Sequence, residues 1–213
     1  MADQSTIDAI NKLLEESPNR NFAESVDLAI NLKNLDLSKP HNRVDKEISL
    51  PHGLGKSRNV CVFAKGEVGL KAKDAGAKYV FSDEDIDDLA SDKKRAKSLA
   101  KECDLFIAEA QYMPTIGKAL GTVLGPRGKM PTPLTPNKDV SELIKSAQNT
   151  VHVRSKDNPS FHVSVGQKNE DPDKLADNID AVISGVENSL EKGRQNLRSV
   201  YVTTTMGSSV KVV

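Results

Sequence analysis

The stretch NVCVFAKGEVGLKAKDAGAKYVF, residues 59–81, joins a short apolar run, a helical segment and a second apolar run. NVCVFA and KYVF, with DLFIA further along, are continuously apolar, which is typical of strands buried on both faces. Helical stretches are predicted between and after them at 67–75, 83–102 and 114–123. Apolar strands separated by helices indicate a parallel sheet covered by helices on both sides.

The sequence before this region has a different periodicity. Residues 5–16 carry apolar side chains at helical spacing, behind Ser5 and Thr6 as candidate N-caps. ESVDLAINL, residues 24–32, alternates apolar and polar residues as a half-buried antiparallel strand does. RVDKEISLP, residues 43–51, is a weaker second example.

The C-terminal third returns to the alternating pattern. TVHVRS and SFHVSVG flank the turn composition KDNP and predict a hairpin, which would place His152 and His162 opposite each other. A long helix follows, with one apolar stripe over 175–190 and Gly193 closing it. The last strand is predicted over 199–206.

These elements define the domain organisation. Residues 1–52 contain a helix and two strands, too little to bury both apolar faces independently. The economical solution is one α+β domain built from residues 1–52 and 150–213, interrupted by the α/β unit of residues 53–149. The fold class is therefore mixed α/β and α+β with two domains, joined near PHGLGK and KSAQNT.

The composition is that of a globular protein and gives little indication of a partner. The chain has 213 residues, 37% hydrophobic and 28% charged, with 30 basic and 30 acidic side chains. Zero net charge gives no sign of a nucleic-acid partner. No apolar run approaches the ~20 residues of a membrane span, and the acidic start MADQSTIDAI is unlike a signal peptide. We expect a cytoplasmic protein with no membrane partner.

Motifs for catalysis, nucleotides and metals are absent or incomplete. GLGKS lacks the first glycine of a Walker loop, because position 50 is Leu, and it leads into a strand instead of a helix. The four histidines form no H-E-x-x-H or nucleophile motif. Cys61 and Cys103 are expected as buried thiols in a reducing compartment. We expect no enzyme activity, cofactor or metal, with an α/β enzyme or nucleotide-binding protein as the alternative.

The distribution of charge is more informative than its sum. Residues 111–138 carry four basic side chains and no acid, and residues 192–213 carry four more and no acid. In the first stretch, LGPRGKMPTPLTP places Arg127 and Lys129 in a rigid loop. Its GPRG matches the G-x-x-G pattern of a KH clamp, but the surrounding α/β pattern is wrong for that domain. Such segregation allows a local positive field without deciding for RNA.

Five segments together resemble a known family: NFAESVDLAINL, SLPHGLGK, LGPRGKMP, DNIDAVISGVE and VYVTTTMGSSVKV. They cover nearly the whole chain and are similar to the large-subunit ribosomal protein of the side stalk beside the tRNA exit site, the universal ribosomal protein L-one family. The spacer DLSKPHNRVDKEISLPHG looks like the archaeal form. The resemblance implies a split domain, an inserted Rossmann-like three-layer domain and a hinge between them, which we place at Gly53 and Gly55.

The resemblance also implies a function. The family binds large-subunit rRNA in a mobile stalk and contacts deacylated tRNA leaving the E site, so we expect Arg127 and Lys129 as a secondary tRNA contact. It implies translational repression, in which the same surface binds a similar structure in the leader or coding region of the protein's own mRNA. A monomer is expected when the protein is free of the ribosome.

Matching the family's motif residue by residue places the RNA contacts mainly on the split domain. The matching positions are Phe22, Ser25, Asp27, Thr205, Met206 and Gly207. Related sequences commonly carry Glu where this chain has Asp27, so that contact is expected to be weaker or displaced. Phe22 alone is more often a core anchor, and a Thr-rich strand is often only an edge strand.

The residue chemistry agrees with such a surface. Hydroxyls of Thr203, Thr205 and Ser208 can bond sugars and phosphates without formal charge, and Thr204 should face the core. Gly207 would let the backbone approach RNA closely.

Charged and apolar side chains complete the predicted RNA contacts. Phe22 and Met206 offer apolar surface to riboses or an exposed base. Asp27 can accept from a guanine edge or a 2′-hydroxyl, and Arg154 and Lys156 are expected to contact phosphates.

Overall fold

The computed structural model describes residues 4–18, 20–134 and 139–212. They divide into two compact units, the first within residues 1–56 and 149–213 and the second within 57–148. The strands are β1 Ser25–Leu32, β2 Asp45–Ser49, β3 Val60–Phe63, β4 Tyr79–Phe81, β5 Leu105–Glu109, β6 Thr132–Leu134, β7 Thr150–Arg154, β8 Ser160–Gln167, β9 Leu197–Thr204 and β10 Ser209–Lys211. The helices are α1 Gln4–Glu16, α2 Gly66–Asp74, α3 Asp83–Ser91, α4 Lys93–Glu102, α5 Met113–Ala119, α6 Gly121–Leu124, α7 Val140–Asn149 and α8 Pro172–Glu187. None of the helices in the described ranges is both long and apolar enough to span a membrane.

The second unit is a three-layer α/β structure, as the apolar runs predict. Its sheet is entirely parallel, in the order β4-β3-β5-β6. Cys61 and Phe63 of β3 pack against α3 to α6, whereas Val60 and Val62 pack against α2 and α7. Helices cover both faces, and this double burial explains why the run in the sequence does not alternate.

The predicted helix over 83–102 is interrupted in the structure. Asp92 has φ −106° and ψ 89°, and its carboxylate accepts the N–H groups of Lys94 at 2.9 Å and Arg95 at 3.2 Å. An aspartate that caps the following N–H groups begins a new helix instead of continuing the old one. The start is as predicted, because Ser82 and Asp85 form a capping box.

Cys61 and Cys103 form a disulfide, so the expectation of two free thiols is wrong. Both are fully buried on the same face of the parallel sheet, with Cα atoms 6.2 Å apart. The chain returns past β3 at the end of α4, which brings together two residues separated by 42 positions. The sequence around either cysteine contains no pattern that predicts this pairing.

The first unit contains an antiparallel sheet in the order β10-β9-β1-β8 and a separate β2-β7 pair. Helices α1 and α8 share one core with the sheet, which buries Val26, Leu28 and Ile30 of β1 as their alternation predicts. β1 lies between β9 and β8, so both of its partners come from the C-terminal part of the chain. The two chain ends therefore form a single core.

The predicted hairpin between TVHVRS and SFHVSVG does not form, because β7 pairs with β2 and β8 pairs with β1. Buried Ser155 explains the choice. Its hydroxyl accepts the N–H of Val44 at 3.0 Å, and its own N–H donates to the Val44 carbonyl at 2.9 Å. This fixes the chain beside β2, and His152 lies opposite Glu47 instead of His162.

Two predicted element ends also move. α8 ends at Glu187, and Gly193, at φ 51°, begins a short 3-10 turn beyond it. β9 ends at Thr204 and not at Met206, because the chain turns there and the N–H of Gly207 donates to the Thr204 carbonyl at 3.2 Å. The residues of greatest interest therefore lie in a turn between β9 and β10.

Candidate RNA interface

One end of the antiparallel sheet brings together residues from both chain ends. Ser25 begins β1, and its carbonyl accepts the N–H of Thr205 at 3.1 Å, although the two residues are 180 positions apart. We use the name turn surface for Phe22, Ser25, Thr205, Met206, Gly207 and Ser208. The motif positions at the start of β1 and in the turn after β9 are therefore neighbours in the fold.

The turn surface exposes two large apolar side chains. Met206 is 62% exposed and Phe22 is 50% exposed. Phe22 lies between Arg20 and Glu24, both of which contact the main chain of Met206. Phe22 is thus not a core anchor, and its exposure between two residues that bind the Met206 main chain suits contact with a ligand.

The hydroxyls near the turn donate within the protein. Thr205 Oγ1 donates to the Ser25 carbonyl at 3.3 Å and also accepts the Ser25 N–H at 3.0 Å. Ser208 donates to Glu16 Oε2 at 2.8 Å, and Thr203 donates to the Thr204 carbonyl at 3.0 Å. A hydroxyl has one proton and two lone pairs, so these groups retain acceptor capacity for a ligand.

Gly207 is required by packing within the turn. A Cβ at this position would overlap Thr204 Oγ1 and lie 3.0 Å from Ser17 Oγ. Those two hydroxyls are hydrogen-bonded to each other at 3.2 Å in the protein interior. Thr204 faces the core, as predicted, and is 2% exposed. The structural reason for the glycine is therefore internal.

Asp27 and Thr203 form the next row of the sheet. They lie opposite each other on β1 and β9, both half-buried, and Asp27 also lies opposite Ser164 of β8. Their side chains share the sheet face that is not covered by α1 and α8, because the alternate residues of β1 enter the core. This row continues the turn surface along the sheet.

Arg154 and Lys156 lie at the other end of the sheet. Along β1, Ser25 is opposite Gln167 and Asn31 is opposite Ser160. Six residues of strand span about 20 Å, and Arg154 and Lys156 precede the start of β8. The predicted RNA contacts therefore fall into two groups instead of one.

The charges of the second group are partly paired. Arg154 Nε lies 3.0 Å from Asp45 Oδ2, and His152 contacts the other oxygen of the same carboxylate. Lys156 has a positive φ of 49°, in the turn that leads to β8. In the same region, Arg43 Nη2 lies 2.7 Å from Asp157 Oδ1 and forms a second ion pair. The positive field around Lys156 is thus reduced by two neighbouring carboxylates.

In the loop of the second unit, the side chains of Arg127 and Lys129 bind backbone carbonyls at the ends of helices. Lys129 Nζ donates to the carbonyls of Ala100 at 3.1 Å and Cys103 at 2.8 Å. Arg127 Nη1 donates to the Val123 carbonyl at 2.8 Å. Both side chains satisfy backbone acceptors at helix ends. Lys138, which belongs to the same predicted basic stretch, lies outside the described residues.

Gly53 and Gly55 have φ values of 71° and 63°, a region that favours glycine. A Cβ on Gly53 would lie 2.7 Å from Asn149 Oδ1, and one on Gly55 would overlap the Glu170 carboxylate. The carbonyl of Gly53 accepts from buried Asn178 at 2.8 Å. Both glycines therefore pack within the first unit.

Sequence reasoning missed the residues beneath the turn surface. Glu24 is 1% exposed, and Arg20 and Lys168 approach its carboxylate at 3.3 Å and 3.8 Å. In the sequence, Glu24 is only the polar residue before an alternating strand. Arg20 is four residues away, a spacing that indicates a pair only within a helix. Across the described ranges, no group of three or more His, Cys, Asp or Glu side chains could hold a metal ion.

Comparison with known proteins identifies the class. A family model described as the ribosomal protein L1p/L10e family matches residues 13–208. The chain belongs to this family. It is 65% identical over 213 residues to the large ribosomal subunit protein uL1 of Methanosarcina barkeri, with 100% of both chains covered. The protein of the same name from Methanosarcina mazei is 62% identical over 213 residues, again with 100% of both chains covered. That from Natronomonas pharaonis is 52% identical over 212 residues, covering 100% of this chain and 99% of the relative.

Proposed function

We propose that this protein binds rRNA of the large ribosomal subunit through the turn surface. The observation that carries the proposal is the convergence of exposed Phe22 and Met206 with hydroxyl acceptors at one sheet end. Family membership confirms the expectation of a ribosomal protein instead of an enzyme. The proposed location is the large subunit of cytoplasmic ribosomes.

The hydrogen-bonding pattern supports a specific kind of recognition. Thr203, Thr205 and Ser208 donate within the protein, so they can offer lone pairs to a ligand. Asp27 adds a carboxylate acceptor in the adjoining row. RNA supplies matching donors in its 2′-hydroxyls and base amino groups, whereas phosphates are acceptors only. Such a surface would distinguish RNA from DNA with little dependence on net charge.

The finer functions proposed here use the turn surface for mRNA and the second unit for tRNA. A structure in the protein's own mRNA that presents the same donors would compete for it, which would repress translation. The second unit would move as a body about the crossings near Lys56 and Asn149, with Gly53 and Gly55 fixing the first crossing, and would approach E-site tRNA through the loop of Arg127 and Lys129. The free protein would act as a monomer.

The alternative of a nucleotide-binding α/β protein is less well supported. In parallel sheets of this kind, dinucleotide phosphates bind at the helix N-terminus that follows the first strand. Here the N–H of Lys65, which precedes α2, donates to Glu109 Oε1 at 3.2 Å. The same carboxylate affects nearby Tyr112. The pKa of the Tyr112 hydroxyl is raised, mainly by burial and then by the negative charges of Asp83 and Glu109. The Glu109 carboxylate, which accepts the N–H before α2, would repel a phosphate at that position.

A footprint on total large-subunit rRNA tests the proposal directly. The protein should protect one stalk-like helical junction from nucleases and leave other regions accessible. Replacing 2′-hydroxyls with hydrogen in the protected strand should weaken binding, because the acceptors of the turn surface would lose their donors. Equal affinity for the all-deoxy strand would contradict the proposed recognition.

Salt dependence provides a second test. With about three phosphate contacts from side chains such as Arg154 and Lys156, the log-log slope of affinity against salt should be about −2 to −3. The measurement is a potassium chloride titration with one RNA fragment. Arg154→Gln serves as the matched variant. It removes one side-chain contact to phosphate, so the magnitude of the slope should fall by about 0.7 to 0.9. A wild-type slope near about −8 would mean that a basic patch dominates.

Removal of residues 57–148 tests the assignment of RNA binding to the first unit. The ends are suitable for a short linker, because a Cβ on Gly53 would lie 2.7 Å from Asn149 Oδ1. Lys56 is three positions after Gly53, which limits the distance between their Cα atoms to about 11 Å. The linked chain should fold and keep rRNA affinity within about threefold. A folded deletion variant without specific binding would contradict the assignment.

A further inference from the structure

Glu24 is a carboxylate enclosed by the protein next to the turn surface. Glu24 is 1% exposed, and an unpaired negative charge buried to this extent costs free energy of folding. Arg20 Nε lies 3.3 Å from Oε1, and Lys168 Nζ lies 3.8 Å from Oε2. Among the residues described, Oε2 has no hydrogen-bond partner. Such an arrangement needs an explanation beyond packing, because an apolar side chain could fill the same space.

The contacts of Met206 supply that explanation. The N–H of Met206 donates to Glu24 Oε1 at 3.2 Å. The carbonyl of Met206 accepts from Arg20 Nη2 at 3.1 Å. One ion pair therefore holds both polar groups of the Met206 backbone and leaves its side chain 62% exposed.

Lys168, the second cation near this carboxylate, contacts the segment around Phe22. Lys168 donates its main-chain N–H to the Glu24 carbonyl at 2.9 Å. Its ammonium group donates to the carbonyls of Ser17 and Pro18, each at 2.9 Å. Lys168 therefore binds main-chain carbonyls of Ser17, Pro18 and Glu24. Both exposed apolar side chains of the turn surface are mounted on backbone that this cluster restrains.

We propose that Glu24 and Arg20 are positioning residues for RNA recognition, which rests on the function proposed above. They preorganise the turn at Met206 before RNA arrives, and so reduce the ordering cost of binding. Neither side chain needs to touch the RNA. The ion pair acts through the backbone of Met206, and its acceptor oxygen matters more than its charge alone.

The test compares Glu24→Ala and Glu24→Gln in the full chain, with Glu67→Ala as the control. Glu67 has an 80% exposed side chain on α2 and pairs with Lys71 in the second unit. Three quantities are measured: affinity for a stalk-rRNA fragment, the thermal midpoint, and hydrogen exchange of the Met206 amide by NMR. Glu24→Ala should weaken binding about 10- to 100-fold and accelerate Met206 exchange, because a charge-assisted hydrogen bond is lost.

Glu24→Gln keeps an oxygen acceptor for the Met206 N–H. It should restore Met206 protection and bring affinity to within about fivefold of wild type. Wild-type affinity in Glu24→Ala with accelerated exchange would overturn the proposal. So would a Glu24→Gln variant that binds as weakly as Glu24→Ala while its Met206 amide stays protected.

Arg20→Ala tests the other half of the pair and keeps the proposal testable if Glu24→Ala does not fold. Arg20 has a 30% exposed side chain, so its loss should leave the core intact. We expect weaker binding and faster Met206 exchange with an unchanged salt slope. A slope that falls in magnitude by about 0.7 to 0.9 would show a direct phosphate contact and overturn the positioning role of Arg20.

Failure of this inference can be told apart from failure of the proposed function. If wild-type protein does not bind the stalk fragment, the proposed function fails. If wild type binds, Met206→Asp does not, and Glu24→Ala binds as wild type, only the positioning role fails.

Discussion

Met206→Asp should weaken binding of a stalk-rRNA fragment by about 100-fold or more, because a new carboxylate would face RNA phosphates and apolar contact would be lost. The fold should be unaffected. Met206 is 62% exposed, and its backbone is held by Glu24 and Arg20 regardless of the side chain. Affinity is measured by filter binding or calorimetry, with the thermal midpoint as the check on folding.

Leu70→Asp is the matched control. Leu70 is 63% exposed on α2 of the second unit, so the change has the same chemistry at the same exposure but away from the turn surface. It should leave RNA affinity within about twofold of wild type. Wild-type affinity in Met206→Asp, or an equal loss in Leu70→Asp, would contradict the assigned surface.

Phe63→Ala should lower the free energy of unfolding of the second unit by about 3–5 kcal/mol. Phe63 is fully buried, and its ring centroid lies 5.5 Å from that of Phe81 and 6.2 Å from that of Phe106. Truncation leaves a cavity on the face of the sheet that α3 to α6 cover. Scanning calorimetry should show an earlier transition for this unit.

Leu28→Ala gives the reciprocal variant in the first unit. Leu28 is fully buried in the other core, and its truncation should cost that unit about 2–5 kcal/mol. Leu28→Ala should lower the temperature at which RNA binding is lost, whereas Phe63→Ala should not. Equal effects of the two variants on RNA binding would show that the units do not function separately.

The local elements were largely predictable because their signals are local. The unbroken run at 60–63 indicated a strand buried on both faces, and the alternation at 25–32 indicated a half-buried one. The pairing of strands was harder. TVHVRS and SFHVSVG are adjacent in sequence, but the two hydrogen bonds between Val44 and Ser155 join β7 to a strand over 100 positions away.

Two further errors in the predicted fold depend on single side chains. Asp92 lies within a pattern that suits a continuous helix. Its carboxylate nevertheless caps two N–H groups, so α3 ends before it and α4 begins after it. No periodicity reveals which way such a side chain will turn. The disulfide between Cys61 and Cys103 likewise depends on where α4 ends relative to β3.

The exposed part of the candidate site was predicted, and its support was not. Phe22 and Met206 belong to motifs that can be matched to the family from the sequence alone. Glu24 acts only through contacts with Arg20, Lys168 and a residue 182 positions later. Its role appears only when burial and distances are known. The separation of Arg154 and Lys156 from the turn surface also depends on strand register, which the sequence pattern does not specify.

The position of β1 between β8 and β9 has a consequence for synthesis. A nascent chain that has reached residue 160 contains Phe22 and Ser25 but neither neighbour of their strand. The surface is completed only when residues 205–208 have left the exit tunnel. A product that ends before residue 205 therefore lacks the part of the proposed RNA-binding surface that contacts Ser25.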